Sequence, residues 1–291
     1  MKTVLIIGAS GFLGKNLAEG LTGKYELLLP KHKELDLFNA QAVKEYFAKN
    51  KIDVVIHAAA VGIIRGQNQD QKDIETNYKM FLNVAAQSEN FGKMLFCGSG
   101  AIYDKRHNLA SVTEEDFGKS EPIDPYGLYK YKCSQFIEKS SNIVDLRIFA
   151  IFGKYEDYKT RFISNAICRS ILGMPIQIFK DVKFDYLYID DFVKIVEHFI
   201  NHETKYNAYN IASGRGVKLT ELSEKIKAVS GKPIGINLQS EGLANEYTAD
   251  NQRLLAEMPN LDFTPLDMSI KALYNWYEDH KSEIDRNKFI I

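Results

Sequence analysis

The sequence has few of the residues that indicate a small cross-linked or metal-stabilised protein. Its three cysteines, Cys97, Cys133 and Cys168, are odd in number and far apart, so they form neither a disulfide framework nor a C-x-x-C metal site. No apolar run approaches the roughly 18–20 residues of a membrane-spanning helix. The apolar stretch near the start is short and leads into a glycine-rich turn, which is typical of a buried strand rather than a signal peptide. We therefore expect a cytoplasmic protein with buried thiols and no metal site.

The chain also lacks an excess of charge of either sign. It has 37 Lys and Arg against 38 Asp and Glu, so nothing in its charge indicates nucleic acid or an anionic membrane as a partner. Hydrophobic residues make up 45% and charged residues 26%, which excludes a disordered or collagen-like chain. A length of 291 residues suits one large domain or two moderate ones.

Strand and helix signals alternate through the first half of the chain. Short apolar runs predict strands over 3–7, 25–29, 53–56, 94–98 and 143–149. The segments between them predict helices over 12–22, 40–49, 70–91 and 126–141. Continuous apolar strands separated by helices indicate a parallel sheet covered on both faces, which predicts an α/β, doubly wound Rossmann-type fold.

The regular alternation of strand and helix signals ends at about residue 150. Residues 186–192 look like a strand that enters a helix, and residues 207–291 mix short strands with three helices. We expect a dinucleotide-binding domain over residues 1–150, with a return of the chain over about 185–205. A smaller C-terminal, substrate-binding lobe is expected over 151–291.

A glycine-rich turn with the spacing G-x-x-G-x-x-G follows the first predicted strand and opens the first helix. Gly8 permits the tight turn, Gly11 lets the backbone approach a pyrophosphate, and Gly14 lets the helix pack on the strand. The helix N-terminus attracts the anion. The turn therefore predicts a bound dinucleotide. Its expected contacts are Gly8, Ser10, Gly11, Phe12, Leu13 and Gly14.

The end of the second predicted strand indicates which dinucleotide binds. A cofactor without a 2′-phosphate usually meets an Asp or Glu there, whereas this chain has a proline followed by Lys31, His32 and Lys33. Cationic side chains suit a 2′-phosphate, so we favour NADP (NADPH) and keep NAD as the alternative. Asp36, with Leu37, is better placed near the adenine.

Tyr126 and Lys130 form a Tyr-x-x-x-Lys pair at the start of a predicted helix, which puts both on one face. A neighbouring ammonium favours the phenolate, so this tyrosine could act as a general acid for a carbonyl oxygen or a base for an alcohol. Lys130 could also bind the nicotinamide ribose. Ser99 follows the strand over 94–98, where ligands gather, and its hydroxyl could bind the same substrate oxygen. We expect Ser99, Tyr126 and Lys130 to be the catalytic residues.

These motifs, together with the run His57-Ala58-Ala59-Ala60 and with Asn77, resemble the extended short-chain dehydrogenase/reductase (NAD-dependent epimerase/dehydratase) family. The resemblance covers roughly residues 1–205. Locally it is closest in pattern to the GDP-L-fucose synthase-like 4-keto-sugar reductases, which act on nucleotide-activated sugars. The resemblance implies that the cofactor is lined by Ala58, Ala59, Ala60, Asn77 and Phe149, with His57 at the same cleft.

The resemblance further implies hydride transfer from NADPH to a 4-keto (6-deoxy) sugar. It also implies a homodimer in which the helices near 70–91 and 126–141 form a four-helix bundle. Substrate contacts are expected from Ala101, Arg161, Asn165 and Lys183.

Two positions depart from the pattern of the fucose synthases, which also epimerise their substrate. Those enzymes use a cysteine two residues after the serine and a histidine in the substrate loop. Here the first position is Ala101, and Arg161 aligns best with the second. Because both acid–base groups are replaced, we expect a reductase without the 3,5-epimerase step.

Two other activities of the same family would need different residues or a different use of the cofactor. The 4,6-dehydratases carry an Asp-Glu pair directly after the Ser or Thr, where this chain has Gly100-Ala101, so water elimination is not expected. A nucleotide-sugar 4-epimerase with tightly bound NAD is compatible with the same residues and is the alternative to the reductase. A non-catalytic dinucleotide sensor is disfavoured by the intact Ser, Tyr and Lys.

Overall fold

The structure is a computed structural model that describes residues 1–62 and 71–289. In this part of the chain the strands are β1 (Thr3–Ile7), β2 (Glu26–Leu28), β3 (Ile52–His57), β4 (Phe91–Cys97), β5 (Leu109–Val112), β6 (Ile143–Ile148), β7 (Ala150–Phe152), β8 (Ile176–Asp181), β9 (Lys183–Tyr188), β10 (Ala208–Ile211), β11 (Gly216–Lys218), β12 (Ile236–Leu243) and β13 (Tyr247–Ala249). The α-helices are α1 (Phe12–Leu21), α2 (Ala40–Lys49), α3 (Gln71–Ala85), α4 (Pro125–Ile137), α5 (Phe162–Ile171), α6 (Ile189–Asn201), α7 (Leu219–Ser230), α8 (Gln252–Glu257) and α9 (Leu266–Asp279).

The central sheet has six strands in the order β10-β6-β4-β3-β1-β2. Every neighbouring pair in it is parallel. Residues 4–7 of β1 are buried in succession, because helices cover both faces of the sheet. The predicted α/β doubly wound, Rossmann-type fold with a smaller C-terminal lobe is confirmed.

Two apolar layers pack on the two faces of this sheet. Leu17 of α1 and Phe192 of α6 belong to the core on one face. Phe47 of α2, Phe81 of α3 and Cys133 of α4 belong to the core on the other face. The helix that begins at the Tyr-x-x-x-Lys motif therefore lies next to α3 and beneath the same sheet face.

The smaller lobe has its own sheets and its own core. One sheet has the order β11-β9-β13-β5, with β7 also paired to β9, and a second pairs β12 with β8. Helices α5, α7 and α9 form a third apolar core with these strands. Strand β9 leads directly into α6, which packs back on the central sheet, so the predicted strand entering a helix over 186–192 is confirmed.

The helix predicted over 70–91 is shorter than expected. Residue 70 lies outside the described residues, α3 ends at Ala85, and a short 3-10 turn over Ser88–Asn90 follows. The helix cannot extend further because Phe91 pairs in parallel with Ile52 as the first residue of β4. Among the residues that the structure describes, no helix combines the length and the apolar character needed to cross a bilayer.

Candidate active site

The glycine turn after β1 forms a cradle that has no room for a side chain at Gly8 or Gly14. Gly8 has φ +88°, and a Cβ there would lie 2.8 Å from the amide nitrogen of Ala59. A Cβ on Gly14 would lie 2.1 Å from the carbonyl oxygen of Gly8. Gly11, which precedes α1, gives that helix no side-chain cap, so its first amide groups remain free to bind an anion. This arrangement fits the pyrophosphate of a dinucleotide.

The segment after β3 forms the other side of the cradle. The Ala58 amide donates a hydrogen bond to the Ile7 carbonyl oxygen at 2.9 Å, which ties this segment to the end of β1. Asn77 is buried, and its side-chain amide donates to the carbonyl oxygens of Val61 and Asp73, both at 2.8 Å. Its carboxamide oxygen accepts from the Val61 amide at 2.9 Å. Asn77 therefore fixes the backbone beside the expected cofactor cleft.

The side chains after β2 differ in their exposure and in their hydrogen bonds. Lys31 and His32 are exposed. The Glu34 carboxylate accepts a hydrogen bond from the Lys31 amide at 2.6 Å, and Asp36 accepts one from the backbone two residues on at 3.0 Å. The Leu37 side chain is buried in the core on the α2 and α3 side, and its cofactor contact stays a prediction. The Lys31 side chain is thus presented at this strand end, where the Glu34 carboxylate is bound to the backbone.

The start of α4 is fixed by its own sequence. Asp124 caps the helix by accepting a hydrogen bond from the Gly127 amide at 2.9 Å, and Pro125 occupies the first helical position. A Cβ on Gly127 would lie 2.7 Å from the Ala101 carbonyl oxygen, so only glycine allows this close approach. As a result, the half-buried Tyr126 is held in the first helical turn, directly beside the segment that follows Ser99.

Ser99 begins a 3-10 turn over Gly100–Ile102 at the carboxyl end of β4. Its Oγ accepts a hydrogen bond from the Ala101 amide at 3.1 Å. The Ala101 side chain is buried and has no ionisable group. The serine hydroxyl is thus held in place from the backbone side.

Lys130 lies one helical turn after Tyr126 and is buried. Its Nζ donates a hydrogen bond to the Cys97 carbonyl oxygen at 2.5 Å. The same Nζ lies 4.3, 4.9 and 5.9 Å from the ring centres of Phe96, Tyr129 and Tyr126, respectively. Burial opposes its charge, but the phenols of Tyr129 and Tyr126 raise the pKa of Lys130 above its ordinary value. The side chain is therefore an ammonium at neutral pH, within reach of the Tyr126 ring.

His57 is buried rather than exposed along the cleft. Its ring lies 6.2 Å from that of Phe81 and 5.6 Å from that of Phe96, measured between centres. Neither ring nitrogen has a hydrogen-bond partner in the described part of the chain. Burial and the Lys130 ammonium lower the pKa of His57 to about 3, so the imidazole is neutral. It is a buried neighbour of the site and no candidate acid or base.

Tyr247 enters the site from the smaller lobe and is not signalled by any motif in the sequence. It begins β13 and pairs with Phe184 of β9. Its hydroxyl lies 2.8 Å from where a Cβ on Gly100 would stand. Phe149, which follows β6, lies 4.9 Å from the Tyr247 ring between centres. The lobe thus contributes a phenol beside the turn that follows the serine.

The residues expected to contact the substrate have local partners of their own in the structure. Lys183 forms an ion pair of 3.0 Å with Glu246, the residue before Tyr247. Arg161 is exposed at the start of α5, and the Asn165 side chain bonds to carbonyl groups of the preceding loop. Within residues 1–62 and 71–289, no hydrogen bond or ion pair joins Arg161 or Asn165 to Ser99.

Comparison with known proteins agrees with this geometry. Residues 4–212 match the NAD dependent epimerase/dehydratase family. A GDP-L-colitose synthase of Yersinia pseudotuberculosis is 25% identical over 286 residues, which cover 86% of this chain and 92% of that protein. The structure of a GDP-L-fucose synthetase from Naegleria fowleri bound to NADP has a TM-score of 0.84 at 17% identity, with 97% of this chain and 94% of that chain covered.

A UDP-glucose 4-epimerase from Thermotoga maritima with UDP-glucose has a TM-score of 0.81 at 19% identity, covering 97% of this chain and 100% of that chain. These likenesses to solved structures concern the fold. The family match extends from the glycine turn through Ser99, Tyr126 and Lys130 to the last strand of the central sheet. The chain therefore belongs to the NAD dependent epimerase/dehydratase family, the extended short-chain dehydrogenases/reductases, and is an enzyme of the NAD(P)-dependent oxidoreductase type.

Proposed function

We propose that this protein is a nucleotide-sugar-modifying enzyme that uses NADPH to reduce a nucleotide-activated 4-keto (6-deoxy) sugar. The observation that supports this most is the grouping of Ser99, Tyr126 and Lys130 at one strand end, next to a glycine cradle suited to a dinucleotide. The similarity to a GDP-L-colitose synthase and to a GDP-L-fucose synthetase bound to NADP supports the substrate class and the cofactor.

In this mechanism the chain's residues bind one carbonyl oxygen and move one proton. Ser99 donates a hydrogen bond to the ketone oxygen, and Tyr126 transfers its phenolic proton to that oxygen. A nicotinamide dinucleotide in the glycine cradle would supply the hydride for the carbonyl carbon. Lys130 would hold its ribose, and the lysine charge stabilises the phenolate that Tyr126 becomes. One hydride and one proton thus convert C=O to CH–OH.

We further propose that the reaction leaves the neighbouring carbons unchanged. Epimerisation at C3 and C5 needs a base on one side of the sugar and an acid on the other. Ala101 can supply neither, because its buried side chain has no ionisable group. The product should therefore differ from the substrate at C4 alone.

The preference for NADPH rests on the end of β2. Lys31 and His32 are exposed there, and the nearby Glu34 carboxylate bonds to the Lys31 amide instead of standing free for a ribose hydroxyl. An exposed ammonium can pair with a 2′-phosphate, whereas a carboxylate would repel it.

We propose a homodimer in which α3 and α4 of each copy form a four-helix bundle. These two helices pack side by side on one face of the sheet. Phe136 of α4 is 37% exposed, and its ring lies 5.5 Å from that of Phe81 on α3, between centres. Light scattering after size exclusion should give twice the chain mass, and Phe136→Glu should give the monomer mass. A monomeric wild type would contradict the proposal.

The reaction is tested by following NADPH absorbance with purified protein and a nucleoside diphosphate-linked 4-keto-6-deoxy sugar. We expect consumption only when the ketosugar is present, with one NADPH oxidised per sugar. Tyr126→Phe should abolish it, while Tyr131→Phe, at a buried tyrosine of the same helix, should not. NADPH consumption that survives Tyr126→Phe would remove the assigned acid.

The 4-epimerase alternative predicts a different result in the same assay. An epimerase returns the hydride to its substrate, so it would purify with bound NAD and consume no NADPH. It would instead interconvert two nucleotide sugars that differ at C4. That outcome would reject the reductase and retain the same three residues in their acid–base roles.

A further inference from the structure

Residues 154–156, which follow β7, connect the helix after the glycine cradle to two helices of the smaller lobe. The side-chain amide of the buried Asn16 on α1 donates a hydrogen bond to the Lys154 carbonyl oxygen at 2.9 Å. The Glu19 carboxylate, one turn further along α1, accepts hydrogen bonds from the Lys154 ammonium at 2.5 Å and from the Tyr155 hydroxyl at 2.6 Å. The first two residues of this segment are thus bound to α1.

The same segment is also bound to the lobe. The buried Glu156 side chain accepts a hydrogen bond from the Ser164 hydroxyl of α5 at 2.6 Å, and the Glu156 carbonyl oxygen accepts one from the Tyr277 hydroxyl of α9 at 3.4 Å. The Tyr155 ring lies edge-on to Trp276 of α9, with 5.4 Å between ring centres. Three consecutive residues therefore join α1 to both α5 and α9.

The backbone of Tyr155 is strained in this position. Its φ is +70°, in the left-handed region that disfavours residues other than glycine, and such a conformation persists only where surrounding contacts hold it. Its hydroxyl is bound to Glu19, and the Lys15 ammonium lies 5.0 Å from its ring centre. The side chain is 36% exposed, so these contacts, rather than burial in a core, balance the strain.

The loop over residues 157–161 follows this segment and leads into α5. The side-chain amide of Asn165 on α5 donates hydrogen bonds to the carbonyl oxygens of Tyr158 and Lys159 at 3.0 and 3.1 Å. The loop is therefore fixed to α5, and it ends at Arg161, where a substrate contact is expected. The position of this loop relative to the glycine cradle then depends on how the preceding segment is held on α1.

We propose that Glu19 and Tyr155 are positioning residues whose hydrogen bond holds the loop over residues 157–161 in place relative to α1. A sugar nucleotide bound by Arg161 and Asn165 would then meet the dinucleotide in the glycine cradle. This rests on the proposed reductase function and on the substrate contacts expected for these two residues. Neither Glu19 nor Tyr155 touches a reacting atom, so both act through the loop.

This role predicts an effect on sugar binding rather than on the chemical step. If the contact is lost, the loop must be ordered each time the sugar nucleotide binds, and part of the binding free energy is used for that ordering. Once the sugar is bound, the geometry at Ser99 and Tyr126 is the same as before. A loss of this kind raises KM and leaves kcat unchanged.

The test uses Tyr155→Phe and Glu19→Gln in the full-length protein. Phenylalanine keeps the ring contacts and removes only the hydroxyl, and both side chains are partly exposed, so neither variant removes core packing. With NADPH and the 4-keto-6-deoxy nucleotide sugar, we expect KM for the sugar to rise about tenfold in each, with kcat and Kd for NADPH changed by less than about twofold.

A double variant and a control show whether one contact is responsible. Because the two groups bind each other, the double variant should raise KM no further than Glu19→Gln alone. Glu197→Gln is the matched control, since Glu197 is a partly exposed carboxylate on α6 that pairs with Lys24 at 2.7 Å. It should change neither KM nor kcat.

Hydrogen exchange, measured by mass spectrometry without sugar, separates a loosened loop from a general loss of stability. In Tyr155→Phe we expect faster amide exchange over residues 157–165 and unchanged exchange in β4. A general loss of stability would accelerate exchange in both.

The possible failures are distinguishable. An unchanged KM in both variants, a fall in kcat with KM unchanged, or equal acceleration of exchange in β4 would overturn the positioning role and leave the reductase intact. Absence of ketosugar reduction by the wild type would overturn the proposed function and this inference with it.

Discussion

The ammonium group of Lys130 donates a hydrogen bond of 2.5 Å to the carbonyl oxygen of Cys97. Cys97 is the last residue of β4, and the chain continues from it to Ser99. A single strand end therefore holds the lysine and presents the serine, while the first turn of α4 adds Tyr126. This shared support explains why three residues from two segments meet at one strand end.

Replacing Lys130 should therefore remove activity. We expect Lys130→Met to lower kcat about 10²–10⁴-fold, because the phenolate of Tyr126 loses its neighbouring charge and the ribose loses its donor. Lys132→Met, two residues further along α4 and half-buried, is the control and should change kcat by less than about twofold. The measurement is steady-state NADPH oxidation with the ketosugar. Equal losses in the two variants would contradict the role of Lys130.

His57 should make folding sensitive to mild acid. Its pKa is about 3 in the native protein, against about 6.5 in the unfolded chain, so between these values only the unfolded chain takes up the proton. Stability contributed by neutral His57 is present above about pH 6.5 and is lost as the pH falls toward 3.

The free energy of unfolding should thus fall between pH 7 and pH 5 by about 2 kcal/mol more in the wild type than in His57→Phe. Urea titrations at both pH values give this difference. Comparing wild type with His57→Phe cancels the contribution of the carboxylates to the free energy of unfolding, because these groups titrate in both proteins. The same pH dependence in wild type and variant would mean that the imidazole is not held neutral.

Lys31 should affect the choice of cofactor. We expect Lys31→Glu to weaken NADPH binding about 10–100-fold, the loss of a charge-assisted contact with phosphate, and to leave NADH binding nearly unchanged. Lys44→Glu, an exposed lysine on α2, makes the same change in net charge away from the cradle and should affect neither. Fluorescence titration with both nucleotides measures this. A parallel loss for NADH would assign Lys31 a role other than contact with the 2′-phosphate.

Gly14 should tolerate no side chain. A Cβ there would lie 2.1 Å from the carbonyl oxygen of Gly8, and this backbone cannot move without opening the cradle. We expect Gly14→Ala to abolish NADPH binding and lower the unfolding temperature. Gly235→Ala is the control, since its nearest neighbour would stand at an ordinary 3.6 Å. Normal nucleotide affinity in Gly14→Ala would show that the turn does not contact the cofactor.

The fold and the local motifs could be predicted from the sequence because their signals lie in short segments. Buried parallel strands appear as continuous apolar runs, and Tyr126 and Lys130 lie one helical turn apart. The end of α3 was missed because Phe91 is apolar and continues the helical pattern. Only its pairing with Ile52 makes it the first residue of a strand.

Contacts between distant segments could not be predicted in this way. Tyr247 reaches Gly100 because β13 inserts between β5 and β9, and no spacing in the surrounding residues reports that pairing. The burial of Leu37 likewise depends on the turn at Lys31, which leads the chain back to the core between the sheet and the helices α2 and α3.

The late position of β10 in the chain has a consequence for synthesis on the ribosome, because β10 is the outer neighbour of β6 in the central sheet. All six residues of β6 are buried in the finished protein, and β10 (Ala208–Ile211) pairs along its outer side. A nascent chain that has emerged only as far as Phe149 would present β6 as an open edge able to pair with other chains. Until Ile211 has left the exit tunnel, β6 has no neighbour on its outer side, so the chain is exposed to aggregation while residues 150–211 emerge from the ribosome.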